Sequence, residues 1–232
     1  MRMYSDRQTP TVAPEQTWEP QPLPRGRHKL GRDEVQASQR DRILRAMLEC
    51  VAADGYSATT VQRVAAAARV SPNSFYKFFE GKLDCFLAVL DADAEQLLER
   101  LLREGAAPDW RDALRNGMRV YLEWWPARPQ VSRAFLVELP VAGGEAVTRR
   151  AATQERFVAV FLGLAARARQ EQPDLPPVSK AAIRVLVHGM TELMGDEVRA
   201  GRLDGLTDLE PELVGLTARV IADEATAVRL AA

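Results

Sequence analysis

Residues 60–82, TVQRVAAAARVSPNSFYKFFEGK, constrain this chain more tightly than any other stretch. Val61, Val64, Ala65 and Ala68 recur at helical spacing, so the first half reads as a short helix with one apolar face. Ser71 can cap a second helix, with Pro72 at its first position, where a missing N–H costs nothing. That second helix sorts its residues by side. Phe75 and Phe79, four apart, face the first helix, while Asn73, Ser74, Tyr76 and Lys77 face away and can donate hydrogen bonds to phosphate or a base edge. Two short helices across a tight turn, the second polar at its exposed start, suit presentation of a helix end to a DNA groove.

The block resembles the tetracycline-repressor (TetR) family of bacterial transcriptional regulators, whose pattern is roughly T-x-x-x-[IV]-A-x-x-A-G-V-S-x-G-[ST]-[LF]-Y-x-x-F-x-x-K. Here the pattern is met by Thr60, Val64-Ala65, Ala68, Val70-Ser71, Ser74-Phe75-Tyr76, Phe79 and Lys82. Two family glycines are replaced, by Arg69 in the turn and Asn73 in the second helix. A positive φ at Arg69 would carry strain, and Asn73 adds a side chain that can read a base. The resemblance covers residues 33–90 and implies a homodimeric, ligand-responsive regulator.

Charge is distributed accordingly. The net charge is −1, yet residues 1–82 hold thirteen Arg and Lys against nine Asp and Glu, leaving eighteen against twenty-three for the remainder. A basic N-terminal part and an acidic C-terminal part suit DNA at one end only. No apolar run reaches membrane-spanning length and the polar N-terminus lacks a signal-peptide core, so a cytoplasmic protein without membrane contact is expected. Cys50 and Cys85 fall on apolar helix faces and read as small hydrophobes; a redox pair is the alternative. His28 and His188 lack ligand-spaced partners, so no metal site or cofactor is expected. The Gly-rich phosphate loop, Gly-x-Ser-x-Gly and His-Glu-x-x-His patterns are absent from the sequence, and no catalytic residue is assigned.

Three units are expected. Residues 1–32 form a proline-rich disordered arm, with a basic segment at 25–32; Arg25, Arg27 and Lys29 can enter a minor groove or lie along phosphates, or else remain a solvated tail. Residues 33–81 form a three-helix helix-turn-helix DNA-binding domain. Its first helix runs over 33–54 on Ile43, Leu44, Met47, Leu48 and Val51, and Gly55 ends it. Residues 82–232 form a larger helical domain for ligand binding and dimerisation. A long helix from Lys82 makes the lever between the two, and further helices are expected at 109–126, 129–139, 145–171, 178–200 and 209–229. Strand-like alternation is missing, so the fold class is all-α.

The last two helices carry wide apolar stripes. Leu186, Val187, Met190 and Met194 on one, with Leu213, Leu216 and Val220 on the other, are assigned to a four-helix dimer interface; internal consumption of the stripes is the alternative. The resemblance implies dimerisation through the same helices. Met118, Tyr121, Trp125, Phe135, Phe157 and Phe161, with Glu138 beside them, are candidates for a ligand pocket, against the alternative of ordinary core packing. The contacts assigned to DNA are Thr60, Ser71, Pro72, Asn73, Ser74, Tyr76, Lys77 and Lys82, together with the basic arm. The expected function is a homodimeric repressor bound to a palindromic operator in double-stranded DNA and released by a small-molecule effector. The alternative is a helical metabolite-binding or adaptor protein whose helix-turn-helix has lost DNA affinity.

Overall fold

The computed structural model describes residues 32–222; the basic arm with Arg25, Arg27 and Lys29 lies outside them. The described residues are helical throughout, joined by turns, with no strand among them. Helix α1 (Arg32–Asp54) packs on α2 (Val61–Ala67) and on the first turns of α4 (Lys82–Glu104), with α3 (Pro72–Phe75) held against α2. Ile43, Met47, Val51, Val64, Phe75 and Phe86 are wholly buried and form the centre of this N-terminal unit.

Four starts follow from side-chain caps. Thr60 accepts from the Arg63 N–H at 3.2 Å, Ser71 from Ser74 at 3.1 Å, Asp109 from Arg111 and Asp112 at 2.8 and 3.0 Å, and Ser179 from Ala182 at 3.1 Å. These fix α2, α3, α5 (Trp110–Trp124) and α8 (Lys180–Arg199). The end of α2 is a Schellman turn: Val70 N–H donates to Ala65 O and Arg69 N–H to Ala66 O, with Arg69 at φ +55°. Arg69 thus occupies the left-handed position that glycine takes at lower cost, as its place in the turn leads one to expect.

The expected helix over 129–139 is broken. Helix α6 (Pro129–Arg133) runs into a π-helical turn over Ala134–Glu138 and a 3₁₀ turn over Leu139–Val141. Pro140 supplies no N–H and its ring crowds the carbonyl four residues back, so the ladder slips and Leu139 N–H reaches Ala134 O instead. Helix α3 is only four residues long; beyond Phe75 the chain continues as a tight turn, with Phe78 N–H on Phe75 O at 2.9 Å.

Helix α7 (Gly144–Glu171) lies across α4, α5 and α8, and α9 (Glu210–Ile221), preceded by a 3₁₀ turn over Leu203–Leu209, packs on α5 and α8. The apolar core is continuous from α1 through α4 to α9.

Candidate nucleic-acid interface and helical cavity

The polar face anticipated at residues 71–77 is displayed outward. Ser71, Pro72, Asn73, Tyr76 and Lys77 are exposed and Ser74 is half-buried, while Phe75 and Phe79 are buried beneath them at 5.6 Å between ring centroids. Two of these residues already have local work. The Ser71 and Ser74 hydroxyls lie 3.0 Å apart, and Ser71 caps the helix. Asn73, Tyr76 and Lys77 are unencumbered by such capping, and Tyr76, 55% exposed, leans edge-on against Phe75. Thr60 is exposed at the start of α2.

Lys82 differs from its neighbours. Its ammonium donates to Tyr56 O at 2.9 Å and sits 4.1 Å over the Tyr56 ring, and partial burial lowers its pKa. It therefore ties α4 to the turn after α1, whatever else it contacts. One feature escaped sequence reasoning: Arg42 and Arg45, one turn apart on α1, line a shallow depression with Arg69 beside the end of α2. Their i,i+3 spacing on the polar side of α1 was the available signal.

The second feature is a cavity of about 530 Å³ between α4, α5 and α7. Helices α5 and α7 are antiparallel here, since Trp110 N–H reaches Glu171 at one end and the Tyr121 and Phe157 rings lie 5.9 Å apart at the other. Small residues make the room: Gly105, Ala106, Ala113, Gly117, Ala159 and Gly163 all line it. A Cβ added at Gly117 or Gly163 meets nothing within 4 Å. Exposed Leu102, Ala106, Ala159 and Gly163 mark its open side.

Of the seven expected pocket residues, Met118, Tyr121, Phe157 and Phe161 line this cavity. Trp125 and Phe135 do not. They stack on each other at 5.6 Å behind its Tyr121 end, with Trp125 edge-on to Tyr121 at 5.8 Å. Burial raises the Tyr121 pKa against a hydrogen bond to Thr191 and the positive charge of Arg150.

Glu138 requires correction. It is buried but faces away from the cavity, into the junction with the N-terminal unit. Its carboxylate accepts the Tyr56 N–H at 2.9 Å and pairs with half-exposed Arg133 at 3.3 Å. The preceding Gly55, at φ +80°, leaves room for it; a Cβ there would sit 3.3 Å from Glu138 Oε2. The sequence distance of 82 residues between Glu138 and Tyr56 explains why spacing could not reveal the bond.

The interface assignment on α8 and α9 is likewise revised. Leu186, Val187, Met190, Met194 and Leu213 are buried against this chain's own helices, because α8 packs on α7 and the π turn and α9 packs on α5. The outward apolar residues are Val185, 74% exposed, Leu193 and Leu216, with Val220 half-buried beside Leu216.

Cys50 and Cys85 are both buried, free thiols, with pKa values raised by burial. Among the described residues no cluster of His, Cys, Asp or Glu could hold a metal ion, and no helix is long and apolar enough to cross a membrane.

Residues 43–89 match the family described as "Bacterial regulatory proteins, tetR family". A curated relative, the HTH-type transcriptional regulator TcmR of Streptomyces glaucescens, is 32% identical over 83 residues, which are 36% of this chain and 37% of that one. The chain thus matches little more than a third of that relative's length. Among solved structures, the fatty acid degradation regulator FadR from Bacillus halodurans superposes with a TM-score of 0.71 at 16% identity, over 77% of this chain and 94% of that one. The regulator FadR from Bacillus subtilis, in complex with stearoyl-CoA, gives 0.69 at 16% identity over 76% and 96%. A tetR-family regulatory protein from Rhodococcus RHA1 gives 0.62 at 22% identity over 79% and 97%. At these identities the likeness is one of fold.

Proposed function

Because the chain belongs, through residues 43–89, to the tetR family of bacterial regulatory proteins, we propose that it is a cytoplasmic, sequence-specific DNA-binding regulator acting as a homodimer on a palindromic operator. The observation that carries this reading is the capped α3, which holds Asn73, Tyr76 and Lys77 in solvent above a buried Phe75–Phe79 base. A short helix of this kind reads few base pairs, so two copies about 34–36 Å apart on one DNA face are needed for specificity. Lys77, Tyr76, Thr60 and Ser71 supply phosphate contacts that position the protein, and Asn73 and Ser74 approach base edges. Arg69 and Asn73 do not favour the adaptor reading. The turn around Arg69 keeps its paired Schellman bonds, and Asn73 points no apolar group at DNA.

The second copy docks through the outward faces of α8 and α9, where Val185, Leu193, Leu216 and Val220 form an apolar strip for a four-helix bundle.

The cavity between α4, α5 and α7 holds the effector. Its lining is apolar apart from Arg167 and the Tyr121 hydroxyl, and Arg167 is already paired with Glu171 at 2.7 Å and bonded to Ala107 O. A largely apolar molecule suits such a site, and the stearoyl-CoA bound by a regulator of the same fold is in keeping with it. Occupancy reaches the DNA-binding unit along packed groups: Tyr121, Trp125 and Phe135 in ring contact, then the π turn, then Glu138 on Tyr56 N–H. The effector shifts DNA affinity by as much as it binds one arrangement of that junction better than the other. Gel-shift titration on promoter DNA, with footprinting of the protected site, tests the reading. A protected two-fold-symmetric site is expected, and a site protected by a monomer would refute the dimer.

A further inference from the structure

Three hydrogen-bond donors are buried without a partner just beyond one end of the cavity: Trp125 Nε1, Gln154 Nε2 and Arg150 Nε. Trp125 and Gln154 are each only 3% exposed. Their positions follow from helical spacing. On α5 the lining residues Leu114, Met118 and Tyr121 continue one turn on to Trp125. On α7, which runs the other way, Leu164, Phe161 and Phe157 continue one turn back to Gln154 and a further turn to Arg150. The Tyr121 and Phe157 rings mark the point where both stripes leave the cavity, 5.9 Å apart, and Trp125 meets Tyr121 edge-on at 5.8 Å. The unpaired donors therefore lie where the two lining stripes continue past the Tyr121 and Phe157 rings, beyond that end of the apolar cavity.

Neighbouring polar groups do not satisfy them. The Tyr121 hydroxyl is bonded to Thr191, which itself donates to Val187 O at 2.8 Å, and neither hydroxyl takes a proton from the three donors. Arg150 spends an Nη on Glu192 at 2.7 Å, which neutralises its charge and leaves Nε inward. Buried donors are almost always paired in folded proteins, and a group of three beside a cavity calls for an acceptor from outside the chain. Arg150 is already matched by Glu192, so that acceptor is best met as an uncharged oxygen.

We propose that the effector is a largely apolar molecule carrying a neutral carbonyl oxygen, and that Trp125, Gln154 and Arg150 receive this oxygen when the Tyr121–Phe157 partition opens. The inference rests on the cavity being the effector site and adds the polar anchor that sets its specificity. Gln154 was not singled out from sequence, because a lone Gln on a helix signals nothing until its burial is known.

The test uses the full-length dimer and displacement of the apolar dye N-phenyl-1-naphthylamine by three probes of one chain length: decane, 2-decanone and decanoate. Gly117→Leu, which fills the chamber from an unobstructed position, locates the dye. The ketone is expected to bind at least about tenfold more tightly than the alkane, the gain from meeting buried donors. In Gln154→Leu and Trp125→Phe that ratio falls towards one. Equal binding of decane and 2-decanone by the wild type overturns the polar anchor but leaves the cavity reading intact. So does an unchanged ratio in both variants, which would mean that ordered water satisfies the donors. Stronger binding of decanoate than ketone, lost in Arg150→Gln, overturns the neutral-oxygen assignment. Failure of the dye to bind, or its indifference to Gly117→Leu, refutes the cavity as effector site.

Discussion

Replacing Glu138 by Ala tests the junction between the N-terminal unit and the helices that follow it most sharply. The carboxylate accepts one buried backbone N–H, from Tyr56 at 2.9 Å, and faces Arg133 at 3.3 Å. A hydrogen bond to a charged acceptor contributes roughly 1.5–3 kcal/mol, and its loss leaves the Tyr56 N–H unpaired between packed helices. The Arg133 pair adds little, because that guanidinium is half exposed; a surface pair contributes about 0–1 kcal/mol. The expected cost is therefore about 2–3 kcal/mol, or a fall in melting temperature of roughly 4–12 °C for a chain of this size. Glu138→Gln keeps an acceptor oxygen for Tyr56 and is expected to cost about 1 kcal/mol. Calorimetry at fixed protein concentration measures both, since self-association makes a melting point depend on concentration. The same variants should weaken the effector's influence on operator affinity, with Ala the more severe. A cost below about 0.5 kcal/mol for Glu138→Ala, with full effector response, would refute the role given to this contact.

Four further outcomes follow from the geometry. Asp93 is largely but not wholly buried between α4 and α5, where it accepts the Trp124 indole N–H at 2.9 Å; burial raises its pKa to about 6, against that hydrogen bond and nearby Arg128. A pKa raised on folding gives stability that is full below the unfolded value near 3.8 and lost as pH rises through 6, about 3 kcal/mol in all. Denaturation of Asp93→Asn at pH 4 and 7 should show that dependence flattened, and an unchanged slope would exclude Asp93 as its source. Gly117→Ala should stabilise α5 by roughly 0.5–1 kcal/mol while weakening binding of apolar ligands, read by urea unfolding and dye titration. Lys77→Gln should lower operator affinity similarly for all sequences, reducing the slope of log K against log salt by about one without loss of stability. Lys82→Gln should destabilise the protein as well, because it removes the bond to Tyr56 O.

The N-terminal unit was legible because its signals are local. The capping hydroxyl of Ser71, Pro72 at a helix start, and Phe75 four residues from Phe79 each act within one or two turns. The polar face of α3 was therefore identified from spacing alone. Positions fixed by distant partners were not. Glu138 lay among aromatic residues in sequence and was grouped with them, yet tertiary packing turns it towards Tyr56. The apolar stripe of α8 correctly indicated burial, but spacing cannot distinguish a partner within the chain from one in a second copy. Leu186 and Met190 go inward, while Val185, outside the recognised stripe, faces solvent. Trp125 and Phe135 belong to the aromatic group that was recognised, and stand one layer behind the cavity wall. Pro140 lies just past the helix expected over 129–139, but its effect reaches back into the preceding turn and converts it to a π turn.

Specific DNA binding through the polar residues displayed at α3 is the property from which the proposed function follows. The direct measurement is equilibrium binding of the purified protein to duplexes from its own promoter region, against excess nonspecific DNA, at about 50 and 200 mM salt, followed by a genome-wide binding selection. Specific binding to a two-fold-symmetric site is expected, with affinity falling roughly 10³-fold or more between the two salt concentrations as phosphate contacts are lost. Salt-independent binding, or failure of both the promoter duplexes and the selection to yield a specific site, would contradict it.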